Sequence, residues 1–264
     1  MVSGVTTRQQ RLVFGEVASE YDAVRPGYPS ELVDAVVGFA SSVPIRAVEV
    51  GAGTGLATES FAALGTSITC VEPDPEMAEI LAGRFAGNDS IDVVVGRFED
   101  WMPPASGVDL LYCAQAWHWA DPSTRLQLAA NALVPGGVIA LFGHGYNFVD
   151  ATVEAELDAV YRHIAPVLVA DPAKPPRPTA SALTELADSP LFEGVRVEDF
   201  SRIVPYATHD YLRLLTTFSP HRMLAPDMLQ ALLAGIAAVI DAHGGVLEQR
   251  LDTRLALARS AFPA

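Results

Sequence analysis

The sequence predicts an α/β protein with a doubly wound sheet, and three observations predict it. Between residues 47 and 144, short apolar runs alternate with stretches whose apolar residues recur at helical spacing. That is the pattern of parallel strands with helices covering both sheet faces. The first apolar run ends directly in Gly51-Ala52-Gly53-Thr54-Gly55 and leads into a helical stretch, a strand–turn–helix unit. The length, 264 residues, suits one such domain with room for an insertion or cap.

The expected elements follow in order. Gln9 to Glu20 and Pro29 to Ser41 read as helices, the second with Leu32, Val33, Val36, Val37 and Ala40 at helical spacing behind Ser30, and the segment from Val24 to Pro29 as a loop. A strand covers Ala47 to Val50 and a helix about Ala57 to Leu64. The alternation repeats as strand Ser67 to Val71, helix Glu76 to Phe85, strands Ile91 to Gly96 and Asp109 to Cys113, helix Ser123 to Leu133 and strand Val138 to His144. Beyond residue 150 the rhythm changes. A helix from Ala151 to Val169 precedes a Pro-rich bend, Asp171 to Pro178, and a helix near Ala182 to Ala187. A strand at Val195 to Val204, helices at His209 to Thr217 and Pro226 to His243, and a final strand at Val246 to Leu257 complete the chain.

Composition narrows the function. Half the residues are hydrophobic and 19% are charged, which excludes intrinsic disorder, and 20 Gly and 19 Pro without a fixed period exclude a collagen-like fibre. Seventeen Lys plus Arg against 32 Asp plus Glu give a net charge of −15, which opposes phosphate neutralisation, so no nucleic-acid partner is expected. Ala-rich stretches such as 225–240 are interrupted too soon to span a bilayer, and Met1 to Arg11 has no basic start followed by an apolar run. The expectation is a cytoplasmic protein without a membrane partner. Cys70 and Cys113 sit in strand-like runs and read as buried thiols, and no metal site is indicated.

The glycine turn is the strongest local signal, because glycines directly after a parallel strand let backbone approach a ligand that no side chain would tolerate. About twenty residues on, Glu72 ends the next strand in Cys70-Val71-Glu72-Pro73-Asp74, where a carboxylate can accept hydrogen bonds from both ribose hydroxyls. The pair implies a nucleoside-containing cofactor, and a nicotinamide dinucleotide enzyme uses the same acid. The spacing is G-x-G-x-G, preceded by Glu49, whereas the dinucleotide pattern G-x-G-x-x-G/A places a pyrophosphate on a helix N-terminus, so a ligand without a pyrophosphate fits better.

Val48 to Gly55, followed by Val71-Glu72-Pro73-Asp74-Pro75-Glu76-Met77, resembles the first two motifs of the class I S-adenosylmethionine-dependent methyltransferases. Phe14 to Pro29, Ala114 to Trp119, Leu133 to Gly137, Thr208 to Ser219 and Gly244 to Arg259 resemble a bacterial and fungal branch that includes trans-aconitate methyltransferase-like proteins. The resemblance implies a Rossmann-like, seven-stranded, mostly parallel sheet with an antiparallel last strand and a helical cap. The 1–264 domain then divides into an N-terminal helical lid (9–43), a cofactor-binding core (44–146), a cap insertion with the sixth strand (147–222) and a C-terminal helix with the last strand (223–264). It also implies S-adenosyl-L-methionine as cofactor. Gly51, Ala52 and Gly53 would line its methionine portion, Glu72 would hold its ribose, and Pro73 or Met77 would flank its adenine. Phe98 and Glu99 would meet the adenine edge, in a position where many relatives carry an acid one place earlier and this chain has Arg97. Gln115 would lie along the cofactor. Tyr21 and Arg25 are further cofactor-binding candidates: the Arg25-Pro26-Gly27-Tyr28-Pro29 loop, stiffened by two prolines, would hold Tyr21 and Tyr28 over the cofactor mouth as a lid.

Methyl transfer from a sulfonium needs alignment of nucleophile, carbon and leaving sulfur, and exclusion of water. A base is needed only where the acceptor carries a proton at the reaction pH. His144, at the end of the fifth strand, is the first candidate base, ahead of His118. Tyr28, Trp117 and Tyr146 are candidate acceptor-binding residues. The sequence therefore reads as a methyltransferase for a small-molecule acceptor, through a carboxylate or hydroxyl oxygen. The alternatives are a noncatalytic S-adenosylmethionine-binding module and a nicotinamide-dependent oxidoreductase. The sequence does not fix the oligomeric state.

Overall fold

The computed structural model describes residues 18–169 and 178–261. In chain order it contains α1 (Ala18–Val24), α2 (Ser30–Ala40), β1 (Arg46–Val50), α3 (Leu56–Ala62), β2 (Ser67–Glu72), α4 (Pro75–Arg84), β3 (Ile91–Val95), β4 (Val108–Ala114) and α5 (Arg125–Ala132). Then come β5 (Leu133–Phe148), α6 (Ala151–Ile164), α7 (Pro178–Asp188), β6 (Phe192–Ala207), α8 (Thr208–Thr216), α9 (Ser219–Arg222), α10 (Pro226–Ala242) and β7 (Val246–Ser260). The seven strands form one sheet in the order β3-β2-β1-β4-β5-β7-β6. Pairing is parallel from β3 to β5, with Val48 of β1 opposite Thr69 of β2 and Leu111 of β4, and antiparallel at the last strands. The strand order reverses at β1, so the carboxyl ends of β1 and β4 lie side by side at the topological switch point, where open α/β sheets bind ligands.

The chain divides into two compact units. The larger comprises residues 26–145, 176–200 and 253–264. Its central parallel strands, β1, β4 and β5, are buried on both faces, and successive residues feed two separate cores. Leu110, Tyr112, Ala140 and Phe142 pack with Leu32 and Val36 of α2 and Phe61 of α3. Leu111, Cys113, Ile139 and Leu141 pack with Ala129 and Ala130 of α5 and with Ala182 and Leu186 of α7. This period of two, with helices on each side, is what makes the sheet doubly wound. The other unit comprises residues 1–25, 146–175 and 201–252. Its core joins Val153 and Leu157 of α6, Leu214 and Leu215 of α8, and Leu232, Ile236 and Ile240 of α10 to Tyr206 and Leu247.

Several boundaries differ from the sequence-based expectation. The first described helix, Ala18–Val24, runs past the expected end at Glu20; residues 9–17 of that expectation lie outside the described residues, as do 171–177 of the Pro-rich bend. Helix α6 stops at Ile164 instead of Val169, because Pro166 offers no N–H and disfavours a helical residue before it. The chain continues there as a 3-10 turn, Pro166–Leu168. Two further 3-10 turns, Phe98–Asp100 and Trp117–Trp119, and the short α9 carry no periodic signal in sequence. Cys70 and Cys113 are buried free thiols. Among the described residues no helix is long and apolar enough to cross a membrane, and no three His, Cys, Asp or Glu gather as a metal site.

Phe61 is fully buried and stacks on Tyr112 at 4.3 Å. Phe61→Ala should lower unfolding free energy by about 3–5 kcal/mol, read from the urea midpoint with an unchanged m-value.

Candidate functional site

The site at the switch point begins with the backbone after β1. Gly51 has φ of +68° and donates its N–H to the Val71 carbonyl at 2.8 Å; a Cβ there would lie 2.4 Å from Ala116 Cβ. The turn that follows β4 therefore approaches Gly51 as closely as bare backbone permits. Gly53 has φ of +58° and nothing within 4 Å of where its Cβ would be, so its backbone faces open space. Ala52, between them, is buried.

Glu72 ends β2 with 5% of its surface exposed. Its Oε2 accepts the Gly53 N–H at 2.7 Å and its Oε1 accepts the Asp74 N–H at 2.8 Å. Each oxygen keeps a further lone pair for a ligand donor. Burial pushes the carboxyl up to about 7; the two backbone N–H groups oppose that rise and the Asp74 charge adds to it. Asp74 caps α4, accepting from the N–H groups of Glu76 (3.0 Å) and Met77 (3.3 Å). Pro73 is exposed beside this turn and Met77 is buried.

Behind the glycine turn, Glu49 is fully enclosed. Its Oε2 accepts from Thr58 Oγ1 (2.5 Å) and the Tyr112 hydroxyl (2.9 Å), while Oε1 has no hydrogen-bond partner among the described residues. Burial raises its pKa to about 8 against those two hydrogen bonds, and the Glu72 charge adds to the rise. The resulting group at neutral pH is a protonated carboxyl under the turn.

Gln115 follows β4 with φ of +58°, a left-handed conformation that a non-glycine residue adopts only when its surroundings impose it. Its N–H donates to the Phe142 carbonyl (2.8 Å) and its Nε2 to the Tyr28 hydroxyl (3.2 Å). Tyr28 stacks on His144 (4.5 Å, 20° between planes) and sets its ring edge to face against Phe142 (4.8 Å). His144 Nδ1 is 2.7 Å from Thr253 Oγ1. The structure thus groups Tyr28, Gln115 and His144 beside the strand ends.

The 3-10 turn at Trp117–Trp119 treats its residues differently. Trp117 is 5% exposed in the core, with its indole N–H on Glu185 Oε2 (3.3 Å) and its carbonyl accepting from Arg125 (2.8 Å). His118 is exposed at its edge and lies against Trp119 (4.5 Å); partial desolvation of the ring, then the Arg125 charge, lower its pKa. Phe98 is buried between Trp101 (6.4 Å) and Trp117 (6.3 Å). Glu99 accepts the Asp121 N–H (2.7 Å) and pairs with Arg97 (3.1 Å); burial pushes its pKa up, but these partners outweigh it and hold the carboxyl below its usual range.

Tyr21, Arg25 and Tyr146 belong to the other unit, where they surround Phe218. Sequence reasoning missed Thr253, Ala116 and the strained backbone of Gln115. Thr253 meets His144 across 109 residues, which no local pattern reports. The small side chain of Ala116 between Gln115 and Trp117 is the one local hint of close approach.

Comparison with known proteins agrees with this geometry. Residues 48–141 match the family described as a methyltransferase domain. An uncharacterised methyltransferase of Mycobacterium tuberculosis is 34% identical over 134 residues, covering 51% of this chain and 53% of that one, so the chain spans about half the length of the curated relatives it matches. Among solved structures, a candidate type II methyltransferase from Anaeromyxobacter dehalogenans superposes with a TM-score of 0.66 at 21% identity, covering 91% of this chain and 99% of that one. A Haemonchus contortus phosphoethanolamine N-methyltransferase, solved with S-adenosyl-L-methionine, superposes at 0.54 with 13% identity, covering 94% of this chain and 57% of that one. Residues 48–141 are thus similar to a methyltransferase domain, and the sheet that carries them has the Rossmann-like fold of these solved structures.

Two predictions test the site's internal physics. Gly51→Ala should lose roughly 1–3 kcal/mol of stability, since both φ and the Ala116 contact oppose a Cβ, while Gly53→Ala loses only about 1 kcal/mol for its φ; urea melts of the two variants separate them. Glu49 has a raised folded pKa, so the folded state holds a proton that the unfolded chain releases above about 4.5, and this group's contribution to stability falls as pH rises from there through about 8. Glu49→Gln should flatten that fall, leaving a smaller stability difference between pH 5 and pH 8 than in the wild type, by thermal melts at both.

Proposed function

We propose that the protein is a methyltransferase that uses S-adenosyl-L-methionine to methylate an oxygen, carboxylate or hydroxyl, of a small-molecule acceptor. The observation that carries this reading is the Glu72 carboxylate bracing Gly53, with a lone pair on each oxygen still available, beside bare backbone at the switch point. Those residues fit an adenosyl group: Glu72 accepts the two ribose hydroxyls, and Gly51, Ala52 and Gly53 line the methionine portion. Pro73 and Met77 flank the adenine, Phe98 and Glu99 meet its edge, and Gln115 lies along the cofactor. The cofactor supplies a methyl group already activated by a positive sulfur, so the chain's own work is alignment and exclusion of water. Where the acceptor carries a proton, His144 is the first candidate to receive it, with Thr253 holding Nδ1 and Tyr28 fixing the ring plane. His118 is the second. Tyr28 contributes to acceptor binding. The net charge of −15 disfavours nucleic acid, and the resemblance to trans-aconitate methyltransferase-like proteins favours a small acid or similar metabolite.

Glu72→Ala should weaken S-adenosylhomocysteine binding by about 1.5–3 kcal/mol in titration calorimetry, and an unchanged dissociation constant would refute the ribose role. Ribose hydroxyls donate best to the ionised carboxylate, and the free protein holds that proton to about pH 7. Binding therefore releases a proton, and affinity should rise with pH up to about 7 and level off above it. Glu72→Gln should abolish that dependence.

A further inference from the structure

Away from the glycine turn, the unit built on α6, α8 and α10 holds polar groups that its own packing leaves unused. Arg25 donates from Nε to Thr217 Oγ1 (2.8 Å) and from Nη2 to the Thr217 carbonyl (3.0 Å), and its guanidinium lies over the rings of Phe218 (4.1 Å) and Tyr21 (4.8 Å). All four partners are neutral. Nearby Arg213 pairs with Glu20 and Asp210, yet among the described residues Arg25 forms no ion pair, in a chain with 32 acids.

His221 lies against Phe218 (5.9 Å), the ring that Arg25 covers, and Tyr206 belongs to the core against which Phe218 and Tyr146 pack. They are 8% and 9% exposed, and the Tyr206 hydroxyl and His221 Nδ1 are buried with no hydrogen-bond partner among the described residues. His221 Nε2 is occupied by the Tyr161 hydroxyl at 2.8 Å; with that hydroxyl as donor, Nδ1 carries the proton and is itself a donor. Gln249, 3% exposed, leaves its Oε1 in the same state. It stands two residues from Leu247 on β7, so the two share a strand face, and Leu247 packs in the core that contains Tyr206. Each such buried group is destabilising while nothing pairs with it. Folded proteins keep few of them, and a set gathered about an unpaired guanidinium is what a ligand site looks like before its ligand completes the hydrogen bonds. Tyr146 and Phe218, edge to face at 5.3 Å, supply apolar walls.

We propose that this unit carries a recognition site for the carboxylate of a small acceptor molecule, with Arg25 providing the charge and the Tyr206 hydroxyl and His221 Nδ1 the hydrogen bonds. One unpaired guanidinium flanked by two neutral donors matches a single carboxylate. Arg25 is thereby reassigned from cofactor to acceptor. The role as acceptor site rests on the methyltransferase reading, whereas the carboxylate binding does not.

Titration calorimetry on the full chain saturated with S-adenosylhomocysteine, using benzoate, salicylate and citrate with benzamide as the neutral control, tests the site. At least one carboxylate should bind and benzamide should not. Tyr206→Phe and Arg25→Gln should each weaken that binding about tenfold or more, and Tyr206→Phe should hold S-adenosylhomocysteine affinity within about twofold. Tyr206→Phe removes an unsatisfied hydroxyl, so its melting temperature should equal or exceed the wild type's, which separates lost recognition from misfolding. The proposal is overturned if no carboxylate binds, or if binding survives both substitutions. It is also overturned if the substitutions weaken S-adenosylhomocysteine but spare methylthioadenosine, which lacks the carboxylate; the anion would then be the cofactor's own. Failure of S-adenosylhomocysteine to bind the wild type counts against the methyltransferase reading alone, and the same titrations on the unloaded protein then decide the carboxylate site.

Discussion

One buried carboxylate organises the ligand-facing end of the sheet. Glu72 ties two backbone N–H groups from different connections, Gly53 in the turn after β1 and Asp74 at the start of α4. The Gly51 and Ala52 N–H groups, both directed at the Val71 carbonyl, already join the first turn to the end of β2, and the shared acid adds a side-chain tie between the two connections. Burying an acid is unfavourable for its charged form, and the rise of its pKa toward neutrality measures that penalty. A fold that retains such a group at the carboxyl edge of its central strands keeps a strong hydrogen-bond acceptor where ligands enter.

The rest of the site follows from close approach around β1. The parallel register brings the end of β4 beside the end of β1, and the clash that any side chain at position 51 would make with Ala116 shows how little room separates the two turns. Gln115 absorbs the same crowding as backbone strain, held by the Phe142 carbonyl. Glu49 is the inner counterpart of Glu72. Enclosed by Thr58 and Tyr112, it stays protonated at neutral pH, so that two carboxyls in neighbouring strands do not both carry charge.

Much of this was legible in sequence, and the parts that were not share a cause. The β1–turn–α3 unit, Glu72 and the alternation that gives the central strands are local patterns, written in contiguous residues with a fixed period or spacing. The antiparallel direction of the last strand comes only from resemblance to a family, and the sheet order is not written in the sequence at all, since pairing across a hundred residues leaves no local trace. Trp117 shows the limit well. Its place after β4 suggested an acceptor-facing ring, whereas the structure turns it into the core, toward Glu185 and Arg125. Thr253 beside His144, and the polar groups gathered about Arg25, are likewise tertiary facts.

The account's central claim is that backbone at Gly51 to Gly53, facing the Glu72 carboxylate, receives an adenosyl group. A crystal structure of the protein soaked with S-adenosylhomocysteine tests it most directly. The account predicts both ribose hydroxyls within hydrogen-bonding distance of the two Glu72 oxygens and the amino-acid tail against the glycine turn. A ribose held elsewhere, or a pyrophosphate of a soaked dinucleotide seated on Gly53 in its place, would contradict it.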